Sequence, residues 1–81
     1  MKKMLPPNKY FRLKNGDVIR SLYEFLYMLP TIDDNVYSYH VNAQKNDFAT
    51  WIKYALDKPN LAEEILGKSK EQVIEILKSE I

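Results

Sequence analysis

The sequence predicts a mainly α-helical domain, with about five short helices in a compact bundle and a small N-terminal β-hairpin. A chain of 81 residues is enough for one domain, and its hydrophobic fraction of 46% is typical of a folded protein. Apolar residues recur at helical spacing in several segments, and capping residues, prolines and glycines bound those segments. We therefore expect one helical domain over residues 10–81, preceded by a flexible basic arm over residues 1–9.

The first predicted element is a hairpin over residues 10–19, YFRLKNGDVI. The pair Asn15-Gly16 favours a two-residue type I′ turn, in which both positions need a positive φ angle. Phe11 and Leu13 alternate with basic residues, which is the pattern of a half-buried strand. Because a two-stranded hairpin is marginally stable alone, we expect the helices to supply a surface for it.

Two short helices are predicted next, over residues 21–29 and 33–41. Ser21 and Glu24 match the Ser-x-x-Glu capping box, in which each side chain accepts a hydrogen bond from a backbone amide of the other. The cap of the second helix is expected at one of two residues, Thr31 or Asp33. In both segments the apolar residues share one side, which we expect to face the core.

Three further helices are predicted over residues 47–56, 61–66 and about 70–79. Their expected caps are Asn46 or Asp47, then Asn60, and last a capping box formed by Ser69 and Gln72. Gly67 is expected to take the left-handed conformation that often follows a helix. The core-facing residues of the last helix are predicted to be Val73, Ile76, Leu77 and Ile81.

Composition limits the function classes. The chain has no cysteine, which excludes a disulfide framework and a thiolate zinc site. Its apolar runs are far shorter than the ~20 residues of a membrane-spanning helix, and its basic start lacks the apolar region of a signal peptide. We therefore expect a soluble, cytoplasmic protein with no membrane partner and no cofactor.

Charge is divided unevenly along the chain. Residues 1–20 carry six basic side chains and one acid, a net charge of +5, whereas residues 21–81 carry six lysines and ten acids, a net charge of −4. A basic arm can attract phosphate groups or an acidic protein surface, and the alternative is a solvated terminus. The basic residues predicted to make contacts are Lys9, Arg12, Lys14 and Arg20.

His40 opens the densest stretch, which runs to Trp51 and holds the only histidine and the only tryptophan. A catalytic histidine works with a nucleophile and an orienting carboxylate, and a metal site needs three or four ligands. Neither set has a suitable spacing, so we predict no catalytic residue and no metal site. An enzyme would need a pocket that joins His40 to Asp47.

The favoured interpretation of this stretch is a structural joint between helices. We expect His40 to pack beside Tyr37 and Trp51, and to bond to the backbone or to Asn42, Asn46 or Asp47, since an unsatisfied buried polar group costs ~1–3 kcal/mol. The predicted structural core of the joint is His40, Asn42, Asp47, Phe48, Trp51 and Ile52.

Six tyrosines are more than so small a core can easily take. Tyr23 and Tyr27 are expected to stay partly exposed, together with Tyr39 or Tyr54, and tyrosine is enriched at protein interfaces. We therefore predict a non-catalytic protein–protein interaction module that contacts another protein through Tyr23, Tyr27 and the basic hairpin. The alternative is nucleic-acid binding through the basic arm and hairpin, with bases stacked on tyrosine.

The runs His40-Val41-Asn42, Asn46-Asp47-Phe48 and Trp51-Ile52 together resemble a small prokaryotic domain of uncharacterised function. That domain is marked by His-Val-Asn-x3-Asn-Asp-Phe-x2-Trp-Ile. A second motif of the domain is similar to residues 11–22 here, so the resemblance spans about residues 10–66. The resemblance implies a recurring module, found alone or attached to larger proteins, and it implies no activity, cofactor or catalytic residue.

Overall fold

Residues 5–81, the part of the chain that this computed structural model describes, form five α-helices and a two-stranded antiparallel hairpin. The predicted mainly α-helical fold with a small N-terminal hairpin is confirmed. Within these residues no helix is both long and apolar enough to cross a bilayer. The elements are β1 (Phe11–Arg12), β2 (Val18–Ile19), α1 (Leu22–Met28), α2 (Asp34–His40), α3 (Asp47–Tyr54), α4 (Pro59–Ile65) and α5 (Lys70–Glu80), with short 3-10 helices at Pro7–Lys9 and Leu29–Thr31.

The hairpin turn differs from the predicted type I′ turn. The Leu13 amide donates to the Asp17 carbonyl at 2.8 Å, so the loop has three residues, 14–16, rather than two. Gly16, with φ of 99°, is the residue of this loop that has a positive φ angle. Asn15 instead accepts a 2.9 Å hydrogen bond from the Asp17 amide through its side chain. A three-residue loop needs one left-handed residue, which explains why the two-residue prediction is wrong.

Residues 5–9, which precede the hairpin, pack against the core. Residues 1–4 of the predicted arm lie outside the described residues. Over residues 5–9, Leu5 packs against the core and Pro7–Lys9 forms a 3-10 helix. Trp51 donates its indole N–H to the Lys9 carbonyl at 2.7 Å. Proline suits the first turn of a helix, where its missing N–H would have no partner, which agrees with the 3-10 helix at Pro7–Lys9.

The caps of α1 and α2 are partly as predicted. The Ser21 hydroxyl accepts from the Glu24 amide at 3.1 Å, which is one half of the capping box. The other half is replaced, because Glu24 accepts from the backbone and the guanidinium of Arg20 at 2.8 and 2.9 Å. The Arg20 guanidinium is itself charged and binds the Glu24 carboxylate as an ion pair, so Arg20 outcompetes the neutral Ser21 amide. Asp33 caps α2 by accepting from the Asn35 amide.

The caps in the second half follow the sequence closely, with one exception. Asn46 accepts from the Ala49 amide at 3.0 Å at the start of α3. The capping box of Ser69 and Gln72 is present in full at the start of α5. The predicted Asn60 cap is wrong, because α4 begins at Pro59, two residues before the predicted start, and proline suits the first turn of a helix.

Two left-handed residues end the neighbouring helices α3 and α4. Gly67 follows α4 with φ of 72°, as predicted. Asp57 follows α3 with φ of 57° and is the non-glycine residue with a positive φ among residues 5–81. Aspartate tolerates this conformation better than most residues, but still at some cost.

Aromatic rings form the centre of the core. Phe25 of α1 and Phe48 of α3 stack with centroids 4.8 Å apart, and Trp51 meets Phe25 edge-on at 6.1 Å. Phe11 brings the hairpin onto the same cluster, 4.8 Å from Phe48. Ile81, which we predicted to face the core, is exposed because it lies beyond the last turn of α5. The other large buried side chains include Ile19, Leu29, Ile52, Ile65, Val73 and Leu77.

Candidate functional site

His40 joins the hairpin, α2 and α3, and it is 5% exposed. Its Nδ1 lies 2.9 Å from Oδ2 of Asp47, and its Nε2 lies 3.0 Å from the backbone nitrogen of Lys14. A backbone N–H can only donate, so Nε2 must hold the lone pair and Nδ1 must carry the proton. Both ring nitrogens are therefore used in structural bonds, and neither is available to a substrate or a metal ion in this arrangement.

The surroundings of His40 differ in part from the prediction. Its ring contacts come from three aromatic side chains, with centroids 5.0–5.5 Å away, Phe11, Tyr39 and Phe48. The predicted neighbours lie elsewhere, since Tyr37 stacks on Phe48 and Trp51 points its indole N–H at the Lys9 carbonyl. Phe11 thus brings the hairpin against His40, a contact that the sequence analysis did not predict.

The predicted structural core of the joint divides into buried and surface residues. His40, Phe48, Trp51 and Ile52 are buried, and Asp47 is half-buried. Asn42 is exposed, so its predicted core position is wrong. Its backbone amide donates to the Lys45 carbonyl at 2.9 Å, and its side chain accepts from the Gln44 amide at 3.0 Å. Asparagine favours such turns because its side chain bonds to nearby backbone.

Asp47 connects the joint to the surface. Its Oδ2 also lies 2.9 Å from the Lys45 ammonium group. Burial opposes ionisation of Asp47, but hydrogen bonds from His40 and Lys45 outweigh burial and hold the pKa of Asp47 below its usual value. Its place at the first residue of α3 also suits a negative charge. The Asp47 carboxylate is therefore ionised at neutral pH, and it accepts hydrogen bonds from the His40 ring and the Lys45 ammonium group.

The six predicted contact residues do not share one surface. Lys9 and Tyr23 line a groove at one end of the molecule. Arg20 and Tyr27 border a separate shallow depression beside β2 and α1. Arg20 is also paired with Glu24 at 2.6 Å, so part of its charge is already compensated. The remaining two predicted residues, Arg12 and Lys14, belong to the hairpin.

Lys14 belongs to a second group, which we call the lysine–tyrosine cluster and define as Lys14, Tyr39 and Lys45. The ammonium groups of the two lysines lie over the Tyr39 ring, 4.4 and 4.8 Å from its centroid. Tyr39 is 48% exposed. Lys45 is paired with Asp47, whereas no carboxylate of residues 5–81 lies within ion-pair distance of Lys14 or Arg12.

The groove lined by Lys9 and Tyr23 has a volume of about 730 Å³. We call it the Tyr54 groove, because Tyr54 also lines it. It lies between residues 5–9, the start of α1, the end of α3 and the end of α5. Tyr23 and Tyr54 line it, and they are about half and 70% exposed. Its remaining lining is apolar with charges of both signs, Leu5, Pro6, Lys9, Ser21, Leu22, Ala55, Leu56, Asp57, Lys58, Glu80 and Ile81.

Tyr54 also borders a smaller groove of about 250 Å³ between α3 and α4. Ala49 and Ala62, both buried, line this groove. Leu66, which is exposed, lies at the same groove. Tyr54 therefore connects two neighbouring grooves, and exposed apolar side chains extend from Tyr23 past Tyr54 to Leu66.

Sequence reasoning did not assign Tyr54 and Lys45 to any site. Tyr54 lies off the apolar stripe of α3, so periodicity predicts its exposure but not its neighbours. Lys45 follows a turn whose course decides which carboxylate and which ring it meets. The groove at Tyr54 joins segments far apart in the chain, and the contacts of Lys45 with Tyr39 and Asp47 depend on the path of the turn, so helical periodicity predicts neither.

The described residues hold no group of three or more histidine, cysteine or acidic side chains that could bind a metal ion. In the same region, no buried side-chain nitrogen or oxygen lacks a hydrogen-bond partner. No protein-family model matches the chain, and searches of curated proteins and of solved structures find no significant similarity. The resemblance to a small prokaryotic domain thus stays a prediction. The surfaces that bear on function are the Tyr54 groove and the lysine–tyrosine cluster.

Proposed function

We propose that this chain is a non-catalytic protein-binding domain that holds its partner in the Tyr54 groove. The observation that carries the proposal is the placement of two exposed tyrosines, Tyr23 and Tyr54, on one groove of about 730 Å³. Tyrosine offers a large contact area, a polar tip and few rotatable bonds to immobilise. Aromatic side chains of this kind supply much of the binding energy at protein interfaces.

The lining of the groove supports a protein segment as the occupant. Leu22 and Leu56 are partly buried at its walls, and covering them further would contribute about 25 cal/mol per Å² of apolar surface removed from water. Asp57 and Lys58 add charges of both signs at the groove. A segment with apolar side chains flanked by polar ones matches an apolar groove with a charged edge.

His40 supports the non-catalytic part of the proposal. It is the buried polar side chain of the described region, and its two ring nitrogens are bonded to Lys14 and Asp47. Acid–base chemistry at His40 would require at least one of these bonds to open. The Tyr54 groove is lined by other residues and holds neither His40 nor Asp47.

Affinity capture from a lysate of the source cells tests this function, with nuclease treatment and washes at two salt concentrations. The variants are Tyr54→Ser and, as a matched control, Tyr27→Ser, because Tyr27 is 82% exposed and borders the other depression. We expect one protein to be retained at high salt by the wild type and Tyr27→Ser, and to be lost by Tyr54→Ser. Retention by all three proteins would contradict the proposal.

A further inference from the structure

The lysine–tyrosine cluster brings two positive charges to one exposed ring. The ammonium groups of Lys14 and Lys45 lie 4.4 and 4.8 Å from the Tyr39 centroid, which places them within about 9 Å of each other. Even at this upper limit the separation does not exceed the Debye length of ~8–10 Å at physiological ionic strength, so both charges can act on the same anion. Each contact with the ring is within cation–π range.

A network centred on the buried His40 holds the backbone of Lys14 and the ammonium group of Lys45. His40 accepts from the backbone amide of Lys14, and it donates to Asp47, which in turn binds the Lys45 ammonium group. The His40 ring also meets the Tyr39 ring edge-on at 5.0 Å. One buried side chain thus contacts the backbone of Lys14, the ring of Tyr39 and the carboxylate that binds Lys45, and so brings the three residues of the cluster to one place on the surface.

The local charge is positive. Asp47 compensates Lys45, but Lys14 has no acidic partner among residues 5–81, and neither has Arg12 on β1. By contrast, the helical lysines Lys70 and Lys78 are paired with acids. Lys53 on α3 likewise has no acidic partner in the described part of the chain, so uncompensated charge lies both on the hairpin, beside an exposed aromatic ring, and on α3.

We propose that the lysine–tyrosine cluster binds the phosphate backbone of single-stranded nucleic acid. Lys14 and Lys45 contact phosphate oxygens, with Arg12 extending the positive surface along β1. When a lysine turns from Tyr39 to a phosphate, the ring face that it covered becomes available for a base. Basic side chains combined with an exposed aromatic ring are how proteins hold single strands without reading their sequence. This site is separate from the Tyr54 groove, so either proposal can fail alone.

Fluorescence anisotropy with a labelled single-stranded oligonucleotide of about 12 nucleotides tests the site on the whole chain. We expect Tyr39→Ser to weaken binding roughly fivefold or more, as for the loss of one base–aromatic stack. Lys14→Gln and Lys45→Gln should each weaken binding and lower the slope of log K against log salt concentration by about 0.7. Lys68→Gln is the matched control, since Lys68 is exposed, forms no ion pair with any described residue and lies outside the cluster.

Three outcomes would overturn the proposal. The first is no binding at low salt by a wild-type protein that melts cooperatively. The second is an equal loss in Lys68→Gln, which would show a diffuse charge effect. The third is binding of a poly-glutamate peptide or a duplex more tightly than of the single strand. Lys14→Gln keeps the backbone amide that His40 binds, so a change in its affinity does not reflect loss of that bond.

Discussion

Individual side chains at the joint each hold more than one segment. His40 is bonded to the hairpin through Lys14 and to α3 through Asp47, and Trp51 is bonded to residues 5–9 through the Lys9 carbonyl. Removing one such side chain therefore loosens two segments at once. The total stability of a domain of this size is about 5–10 kcal/mol, so the free energy lost with one such side chain is a large fraction of that total.

His40→Ala should lower the free energy of unfolding by about 2–4 kcal/mol, because it leaves a cavity and an unpaired Lys14 amide. Urea denaturation followed by circular dichroism measures the loss. His40→Gln is the control, since its amide oxygen can still accept from Lys14, and it should lose less. Equal stability of His40→Ala and the wild type would show that the joint does not depend on this ring.

Trp51→Ala should lower the free energy of unfolding by ~3–5 kcal/mol, the usual range for a buried aromatic side chain. Trp51→Phe keeps a ring in the core but loses the bond to the Lys9 carbonyl, so we expect a smaller loss of about 1 kcal/mol beyond any repacking. Thermal melting followed by circular dichroism separates the two variants. A melting temperature of Trp51→Ala near that of the wild type would contradict the core position.

The lowered pKa of Asp47 predicts how the stability of the fold changes at acid pH. Burial opposes its ionisation, but bonds from His40 and Lys45 outweigh burial, so its pKa is lower in the folded than in the unfolded chain. Its charge therefore stabilises the fold above the unfolded value of about 3.9, and this contribution is lost as pH falls toward the folded value. The stability difference between the wild type and Asp47→Asn should shrink below pH ~4. A difference that is constant from pH 7 to pH 3 would contradict the bonding scheme.

Sequence reasoning could predict that His40 is structural, and it named Asp47 among the partners. It could not name Lys14, because that bond joins residues 26 apart in the chain and depends on how the hairpin packs. Asn42 shows the opposite limit. Its tendency to form a turn could be predicted from the local sequence. Whether it is buried depends on which segments pack over it in the folded chain, and the local sequence does not show that.

Helices and their ends were the most predictable elements. The caps Asn46 and Ser69 act on amides within three residues, so their signal is contained in the local sequence. Two of the errors arose where local partners compete. Glu24 can serve the Ser21 amide or Arg20, and Asn15 can adopt a positive φ or bond to Asp17. The local alternatives differ little in free energy, so the surrounding contacts decide between them.

Asp57 at the end of α3 provides a prediction for one element. Its φ of 57° lies in the left-handed region, which glycine adopts without strain. Asp57→Gly should raise the free energy of unfolding by up to about 1 kcal/mol, measured by urea denaturation. Gly67→Ala is the mirror experiment at the end of α4 and should lower it by about 1 kcal/mol. A loss of stability in Asp57→Gly would mean that its side chain makes a stabilising contact.

The two surfaces belong to the whole molecule rather than to any element. The Tyr54 groove needs α1, α3, α5 and residues 5–9 together, and the lysine–tyrosine cluster needs the hairpin, α2 and the turn before α3. The sequence predicts that tyrosines such as Tyr23 and Tyr27 stay exposed. It cannot predict that Tyr23 shares a groove with Tyr54, because that pairing follows from the packing of α1 and α3 in the finished fold.

Site-specific photo-crosslinking tests the proposed binding groove most directly. A benzophenone amino acid is placed at position 54 or, in a control chain, at position 27, since both native tyrosines are well exposed. Irradiation in the source cells should join position 54 to a single protein, as one discrete band of higher mass, and leave position 27 without that band. The absence of any adduct at position 54, or the same band at both positions, would contradict binding through the Tyr54 groove.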